Sequence, residues 1–247
     1  MLGDQPVALV TGASEGIGLV IATHLAANGY QVAAAARSTK RLEELAERVG
    51  VHPITLDVTD TDAVREATFR IEAQIGPVEL LVNNAGSAGR SGVSWEYQPE
   101  DWWRILEVNL MGSFLCSHAL LPHMTQRGSG RIVNLSSGAA AFPIPDDFGA
   151  MINSAYMASK AAINRFTEAL AAEARSYGVS VFAISPGTVK TNMTRVAFAD
   201  DWDDPDLWSP PERTAELIAC IGSGALDDFT GRYIHAVQDD WRSMARG

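Results

Sequence analysis

Short apolar segments alternate with amphipathic segments along most of the chain. The apolar segments end at turn residues and lie at Val7–Val10, Gln31–Ala36, Pro53–Leu56, Glu79–Val82, Arg131–Leu135 and Val179–Ile184. Helix-length stretches with an apolar period near 3.6 separate them, at Gly16–Ala27, Lys40–Val49, Asp62–Ile75 and Met157–Tyr177. Nearly continuous apolar strands are typical of a parallel sheet that helices cover on both faces. The pattern therefore predicts an α/β fold, a doubly wound, Rossmann-like parallel sheet.

Three longer segments interrupt this alternation, Ser87–Pro99, Gly138–Asn153 and Thr188–Pro211. In open α/β sheets, ligands bind outside the carboxyl ends of the strands, where these segments emerge. No segment has the composition of an interdomain linker. We therefore expect one domain over residues 1–247, with a lid over a binding pocket at 188–211.

The lid segment contains four large apolar side chains, Met193, Phe198, Trp202 and Trp208. We expect them to close an apolar pocket over a bound molecule. Packing of some of these aromatic side chains in a subunit interface is the alternative.

The chain is acidic, with a formal net charge of −11 from 30 Asp and Glu residues against 19 Lys and Arg residues. Most of this charge lies from Asp200 onward. Such a surface repels nucleic acid and anionic lipid. The balance favours a small-molecule enzyme or a protein-interaction module, and a solvated acidic face that serves only solubility is the simpler alternative.

Neither the two cysteines nor the five histidines have the spacing of metal ligands, so no metal site is expected. No stretch reaches the roughly 18 apolar residues of a membrane span, and the N-terminus lacks the pattern of a signal peptide. We expect a cytoplasmic protein with neither a nucleic-acid nor a membrane partner.

A glycine-rich turn joins the first predicted strand to the first predicted helix, in the order Thr11-Gly12-Ala13-Ser14-Glu15-Gly16-Ile17-Gly18. Gly12 suits a tight turn, Gly16 allows backbone to approach a pyrophosphate, and Gly18 permits close packing of helix on strand. The helix N-terminus offers unpaired N–H groups and a partial positive charge to phosphates. This arrangement predicts a dinucleotide-binding site.

The end of the second predicted strand bears on which dinucleotide is bound. An acidic residue there would accept a hydrogen bond from a ribose hydroxyl of NAD, but this chain has Arg37 followed by Ser38. A guanidinium and a hydroxyl suit the 2′-phosphate of NADP. Glu15 argues against NADP, because it places a negative charge in the phosphate-binding turn. The alternative explanation for Arg37 is a solvated charge at the end of a strand. We expect NADP(H) in preference to NAD(H).

Tyr156 and Lys160 lie one helical turn apart and therefore share a helix face. A free tyrosine has a pKa of about 10, too high for a base at neutral pH. A neighbouring ammonium group and an oxidised nicotinamide ring both favour the phenolate. The pair therefore predicts acid–base chemistry, with the pKa of Tyr156 lowered.

In this context the chain resembles the short-chain dehydrogenase/reductase family, in its single-domain form of about 250 residues. The resemblance covers nearly the whole chain and rests on motifs in the family's order. They are the glycine-rich turn, Asp57 after strand three, Asn83-Asn84-Ala85-Gly86 after strand four, Asn109 in a helix, Ser136-Ser137 after strand five, Tyr156 with Lys160, and Pro186-Gly187 after strand six.

The resemblance implies a role for each catalytic residue. Tyr156 is the general acid in ketone reduction and the general base in alcohol oxidation. Lys160 binds the nicotinamide ribose and lowers the pKa of Tyr156. Ser137 holds the substrate oxygen, with Ser136 as the alternative. Asn109 holds a water that relays protons to Lys160.

The resemblance also implies cofactor contacts for three groups of residues. Asp57 and Val58 are expected to meet the adenine, and Asn83, Ala85 and Gly86 to line the adenine-side ribose and steady the sheet. Ile17 and the segment Pro186–Thr191 are expected at the nicotinamide half. The full set of expected cofactor-binding residues is Gly12, Ser14, Glu15, Gly16, Ile17, Gly18, Arg37, Ser38, Asp57, Val58, Asn83, Ala85, Gly86, Tyr156, Lys160, Pro186, Gly187, Val189 and Thr191.

Four residues of the family motifs have simpler structural explanations. Asn83 and Asn84 suit an ordinary turn, Asp57 suits a helix N-cap near Thr59–Thr61, and Asn109 suits a helix kink.

The chain departs from the family pattern at two places. Ser137 and Tyr156 are nineteen residues apart, about six more than usual in the family, and the extra residues fall in 141–149. We expect this insertion to shape substrate entry, with a solvated loop as the alternative. Near the C-terminus, Thr230-Gly231-Arg232 begins a predicted seventh strand, which brings the sheet to about seven, but the family's usual Asp-Gly-Gly turn is absent.

The resemblance implies a carbonyl reductase or secondary-alcohol dehydrogenase that acts on a small-molecule carbonyl or alcohol. A homodimer or homotetramer is expected. The alternative from a different class is a dinucleotide-binding sensor or scaffold that has lost catalysis.

Overall fold

The computed structural model describes residues 5–141, 143, 153–195, 198–199 and 201–246. In chain order the strands are β1 Val7–Thr11, β2 Gln31–Ala36, β3 His52–Thr55, β4 Val78–Asn83, β5 Gly130–Leu135, β6 Val179–Ser185 and β7 Tyr233–His235. The helices are α1 Gly16–Ala27, α2 Thr39–Val49, α3 Thr61–Gln74, α4 Pro99–Leu106, α5 Gly112–Arg127, α6 Ser154–Ala174, α7 Pro211–Gly222 and α8 Trp241–Met244.

The seven strands form one parallel sheet in the order β3-β2-β1-β4-β5-β6-β7. The order reverses next to β1, since β2 lies on one side of it and β4 on the other. A crevice opens at such a reversal, outside the carboxyl ends of the strands. The predicted doubly wound fold is confirmed, and the position of a dinucleotide site follows from it.

Alternating side chains of β1 show how the sheet builds a core on each face. Ala8 and Val10 belong to one buried cluster, whereas Val7 and Leu9 belong to another on the opposite face. Successive side chains of a strand point to opposite faces, so a strand buried on both sides must be apolar throughout. This requirement explains the continuous apolar runs in the sequence.

Element boundaries differ from the predicted ones by a few residues. Helix α6 ends at Ala174, before the predicted end at Tyr177, and the chain continues as a short 3-10 turn over Arg175–Tyr177. The last strand begins at Tyr233, three residues after the predicted start at Thr230. Helix ends fray, and periodicity alone locates them only within a turn.

One helical run, Pro99–Arg127, is long and apolar enough to cross a membrane by length and composition. The expectation that no stretch meets this test is therefore wrong. Leu115, Cys116, Leu120 and Met124 of this run are buried in the cluster beneath the sheet. These four residues thus pack as those of a core helix do.

Candidate active site

A cavity of about 490 Å³ lies at the carboxyl ends of the central strands. Its volume falls within the range of small-molecule and cofactor sites. It gathers most of the residues predicted to bind a dinucleotide, from turns far apart in the chain. These are Gly12, Ser14, Glu15, Gly16, Ile17, Arg37, Ser38, Asp57, Val58, Ala85, Gly86, Tyr156, Lys160, Pro186 and Thr191.

Four predicted residues do not line this cavity. Gly18 lies behind it, where an added Cβ would collide with the carbonyl oxygen of Gly12 and the amide of Asn84. Gly187 packs against Ser209, and Val189 is buried. Gly18 thus serves the close packing that was expected of it, as a structural neighbour of the site.

Asn83 also points away from the cavity. Its amide nitrogen donates hydrogen bonds to Asn134 Oδ1 at 2.9 Å, to Ser117 Oγ at 3.1 Å and to the carbonyl of Ser113 at 3.3 Å. These contacts join β4 to β5 and to α5. Asn83 therefore steadies the centre of the sheet, as expected, and it does not line the cavity.

The neighbouring Asn84 fastens the glycine-rich turn to the loop after β4. Its amide nitrogen donates to the carbonyls of Thr11 at 2.9 Å and Gly12 at 3.2 Å. The hydroxyl of Thr11 in turn accepts hydrogen bonds from the backbone N–H groups of Asn84 and Ala85, both at 3.0 Å. Asn84, absent from the predicted set, therefore does more than form an ordinary turn.

The start of α1 is prepared for an anionic ligand. Gly12 and Gly16 adopt φ of 66° and 57°, a region that side chains disfavour. Glu15 is the N-cap residue but makes no side-chain hydrogen bond to the first turn. The N–H groups and dipole of the helix therefore face the cavity without a carboxylate cap, as a pyrophosphate requires.

Two guanidinium groups lie at the end of the cavity formed by β2 and α2. Arg37 and Ser38 line it as predicted, and Arg41 from the first turn of α2 joins them. Ser38 is the N-cap of α2, but its hydroxyl makes no capping hydrogen bond. Two cations and a hydroxyl fit a 2′-phosphate, and Arg41 is absent from the predicted set because only the fold brings it here.

Glu15 lies beside these guanidinium groups, and its carboxylate contacts Arg41 and Asn192. Its Oε2 forms an ion pair with Arg41 and accepts a hydrogen bond from Asn192 Nδ2 at 3.0 Å. Asn192 belongs to the predicted lid and also lines the cavity. The negative charge that opposed NADP is therefore balanced locally by Arg41.

Asp57 is held at the wall of the cavity by Thr59 and Arg104. Its Oδ1 accepts from the N–H and the hydroxyl of Thr59, and its Oδ2 lies 3.5 Å from Arg104. Partial burial opposes these contacts, but together they hold the pKa of Asp57 below its usual range. The N-cap of α3 is Asp60, which accepts from Ala63 at 3.0 Å. The capping explanation for Asp57 is therefore wrong.

Tyr156 lies in the first turn of α6, partly buried at the cavity wall. Burial raises the pKa of its phenol, and a hydrogen bond with the Ser137 side chain acts in the opposite direction. In the protein without cofactor the pKa is thus raised where a lowering was expected, and the lowering expected from an oxidised nicotinamide ring stays a prediction. The physical reason is that desolvation penalises the phenolate more than the hydrogen bond favours it.

Lys160, one turn further on, is buried beside the tyrosine. Its Nζ lies 5.7 Å from the centre of the Tyr156 ring and donates to the carbonyl of Leu135 at 2.6 Å. Burial lowers the pKa of Lys160 from 10.5 to about 8. The ammonium therefore lies near the ring of Tyr156, and its hydrogen-bond partner is the carbonyl at the end of β5.

The two adjacent serines after β5 have different partners. Ser136 is buried and donates to Asn164 Oδ1 at 2.5 Å, so its hydroxyl is bound to α6. The hydroxyl of Ser137 accepts from the N–H of Ala139 at 3.2 Å and meets the phenol of Tyr156. The geometry favours Ser137 over Ser136 as the residue that holds a substrate oxygen, although Ser136 is the one that lines the cavity.

Asn109 is buried in a π-helical turn, Glu107–Met111, between α4 and α5. Its Oδ1 accepts from the N–H of Ser87 at 2.7 Å, and its Nδ2 donates to the carbonyl of Ser87 at 2.9 Å and to Ser159 Oγ at 2.8 Å. A π-turn is a helix irregularity often found at functional sites. The kink and a role at the site are thus compatible, and the water relay stays a prediction.

The predicted lid is folded partly on itself. Met193 lines the cavity. The rings of Trp202 and Phe198 pack against Trp208, with centroids 5.1 and 5.9 Å from its ring, and Lys190 lies over Trp202. These aromatic side chains therefore form a cluster of their own, beside the cavity. Most of the insertion at 141–149 lies outside the described residues, so its effect on substrate entry stays a prediction.

The comparisons with known proteins agree with this geometry. The family model for short chain dehydrogenases matches residues 6–202. An acetoacetyl-CoA reductase of Rhizobium meliloti is 40% identical over 238 residues, which cover 93% of this chain and 96% of that protein.

Two solved structures show the same agreement. An actinorhodin polyketide ketoreductase with NADPH superposes with a TM-score of 0.84 at 32% identity, covering 94% of this chain and 95% of that one. A 3-oxoacyl-[acyl-carrier protein] reductase from Brucella melitensis with bound NAD superposes with a TM-score of 0.82 at 29% identity, covering 93% of this chain and 88% of that one.

Proposed function

This chain belongs to the short-chain dehydrogenase/reductase family, whose members are NAD(P)-dependent oxidoreductases, and we propose that it reduces a ketone or aldehyde carbonyl of a small molecule to an alcohol. One observation carries the proposal. The Tyr156 phenol is hydrogen-bonded to Ser137 and lies one helical turn from Lys160 at the wall of the dinucleotide cavity.

In this proposal the described residues divide the chemistry between them. The hydroxyl of Ser137 donates to the substrate carbonyl and orients it, and Tyr156 delivers a proton to the same oxygen. The bound nicotinamide cofactor supplies the hydride. A phenol is protonated at neutral pH, and burial raises the pKa of Tyr156 further, so the side chain carries the proton that reduction consumes. Alcohol oxidation is the same reaction in reverse.

We propose NADP(H) as the preferred cofactor. Arg37, Arg41 and the uncapped hydroxyl of Ser38 support this choice, since guanidinium groups bind phosphate in a planar, bidentate manner. The related structures carry NADPH in one case and NAD in another, so the preference rests on this chain's own residues.

We propose a homodimer or homotetramer that buries an exposed apolar helix face. Trp103, Met111 and Phe114 are 60%, 46% and 43% exposed along the helical run from α4 to α5. Large exposed apolar patches mark association surfaces. Light scattering of the purified protein tests this, and Phe114→Asp should lower the observed mass. The cytoplasmic location stays a prediction.

The reaction is tested by following NADPH oxidation with a broad panel of ketones and aldehydes. We expect turnover with at least one class of carbonyl, and loss of about three or more orders of magnitude in Tyr156→Phe, which removes the acid. NADPH binding without turnover across the panel, unchanged in Tyr156→Phe, would instead support a sensor or scaffold.

A further inference from the structure

Asn153 is the N-cap residue of the helix that carries Tyr156. It is buried, with only 3% of its surface exposed. Its Oδ1 accepts a hydrogen bond of 2.9 Å from the backbone N–H of Tyr156. An N-cap oxygen stabilises a helix by pairing one of its free N–H groups. Capping by itself would need no more than this oxygen.

The amide nitrogen of Asn153 makes a second set of contacts that capping does not require. It donates to the carbonyl of Ala88 and to the carbonyl of Arg90, the latter at 2.9 Å. Both acceptors belong to the segment that follows β4. One buried side chain therefore fastens the first turn of α6 to residues 88–90.

The same segment is fastened to α6 at its other end. Asn109 pairs with both the N–H and the carbonyl of Ser87 and donates to Ser159. Ser159 Oγ donates to the carbonyl of Tyr156 at 2.7 Å. The backbone of Tyr156 is thus held on its N–H side by Asn153 and on its carbonyl side by Ser159, and the segment 87–90 spans the two anchors.

Apolar packing supports this arrangement without giving it a direction. Tyr97, Ile105 and Ala155 are buried in a small cluster against which the Tyr156 side chain packs. Dispersion contacts are not directional. Hydrogen bonds are directional, so they determine where the phenol stands.

We propose that Asn153 is a positioning residue for Tyr156. Its acceptor caps α6, and its two donors set the position of the first turn against residues 88–90, so that the phenol meets the substrate oxygen held by Ser137. A misplacement of about 1 Å at such a group costs about 100-fold in rate. This inference rests on the proposed reduction for its kinetic readout.

The test separates the donors of Asn153 from its capping oxygen. Asn153→Asp and Asn153→Ser keep an acceptor for the N–H of Tyr156 and lose both amide donors. Asp60→Ser is the matched control, because it changes the N-cap of α3, which carries no predicted catalytic residue. We expect kcat of NADPH-dependent reduction to fall about 10- to 100-fold in both Asn153 variants, with KM for NADPH little changed. The melting temperature should fall as well, because the carbonyls of Ala88 and Arg90 lose their donors.

A structural role alone would lower the melting temperature and leave kcat per folded molecule at the wild-type value, which would overturn the proposal. Hydrogen exchange of the backbone amides in the first turn of α6 supplies a readout without turnover. Faster exchange there in the Asn153 variants supports the anchor, and unchanged exchange refutes it. If the wild-type protein reduced no carbonyl, the proposed function would be wrong. Hydrogen exchange would still show whether Asn153 holds the first turn of α6 in place.

Discussion

The ammonium nitrogen of Lys160 lies 5.7 Å from the centre of the Tyr156 ring and donates a hydrogen bond of 2.6 Å to the carbonyl of Leu135. This placement puts a buried cation beside a phenol whose pKa is raised. Both groups are desolvated, and desolvation drives each toward its neutral form. The pH dependence of the protein should therefore report on the pair.

Reduction should slow as the pH rises through about 8, the lowered pKa of Lys160. Below that value the side chain is a cation that can bind a ribose hydroxyl and favour the phenolate left after proton transfer. Above it the amine is neutral and gives less of this stabilisation. The measurement is kcat/KM from neutral to alkaline pH. In Lys160→Arg the side chain stays cationic at high pH. If the decline in kcat/KM near pH 8 persisted in this variant, it would belong to another titrating group.

The same pKa has a consequence for stability. Burial lowers the pKa of Lys160 to about 8 in the folded protein, from 10.5 for an exposed lysine side chain. Between these values the unfolded chain binds more protons, so stability should rise with pH, and the penalty on the buried cation is about 3 kcal/mol. Urea unfolding of the wild type and of Lys160→Met measures this. Between pH 8 and 10.5 the unfolding free energy of the wild type should rise relative to that of the variant by about 3 kcal/mol. Unfolding free energies that changed in parallel with pH in the two proteins would contradict this prediction.

Ser137→Ala should mainly lower the reaction rate, whereas Ser136→Ala should mainly lower the stability of the fold. Ser137→Ala removes the hydroxyl at the phenol, so we expect kcat to fall about 100-fold or more with little change in stability. Ser136→Ala leaves Asn164 unpaired and should cost about 1–2 kcal/mol of unfolding free energy with a smaller loss of rate. Steady-state kinetics and urea unfolding on both variants check this. Equal kinetic losses would mean that the assignment of Ser137 is wrong.

Arg41→Gln should weaken NADPH binding and leave NADH binding almost unchanged. A charge-assisted hydrogen bond to phosphate contributes about 1.5–3 kcal/mol, so the loss is about 10- to 100-fold in Kd. Glu15→Gln, which frees Arg41 and removes a negative charge, should tighten NADPH. Nicotinamide fluorescence titration measures both. Arg48→Gln, at the far end of α2, is the control, and equal weakening of NADPH and NADH in Arg41→Gln would argue against a 2′-phosphate contact.

Gly18→Ala should destabilise the fold more than Gly50→Ala does. The new methyl group at Gly18 would collide with backbone of Gly12 and with the amide of Asn84, which overpacks the site by about 1–3 kcal/mol or more. Gly50 ends α2 with φ of 75° and open space around it, so its cost is only the strain of about 1 kcal/mol. Thermal unfolding of the two variants gives the comparison. A smaller loss at Gly18 would show that the turn can shift.

The alternation of strands and helices, the glycine-rich turn and the pair at Tyr156 and Lys160 were all predictable from the sequence. Each depends on residues close together in the chain. Apolar residues recur every 2 residues in a half-buried strand and about every 3.6 residues in a helix because of local backbone geometry, and a turn glycine acts in the same way. The helical repeat also brings residues four apart to one face. Such features keep their meaning before any tertiary contact forms.

The tertiary structure alone decided which of these residues meet and in which direction they point. It turned Asn83 into the sheet, separated the partners of Ser136 and Ser137, and brought Arg41 to Glu15 and Asn153 to the segment 88–90. It also raised the pKa of Tyr156 in the protein without cofactor, by burying the phenol. Contacts between residues far apart in the chain, and the desolvation of the groups they bury, depend on how the elements pack. Local sequence patterns carry no record of that packing.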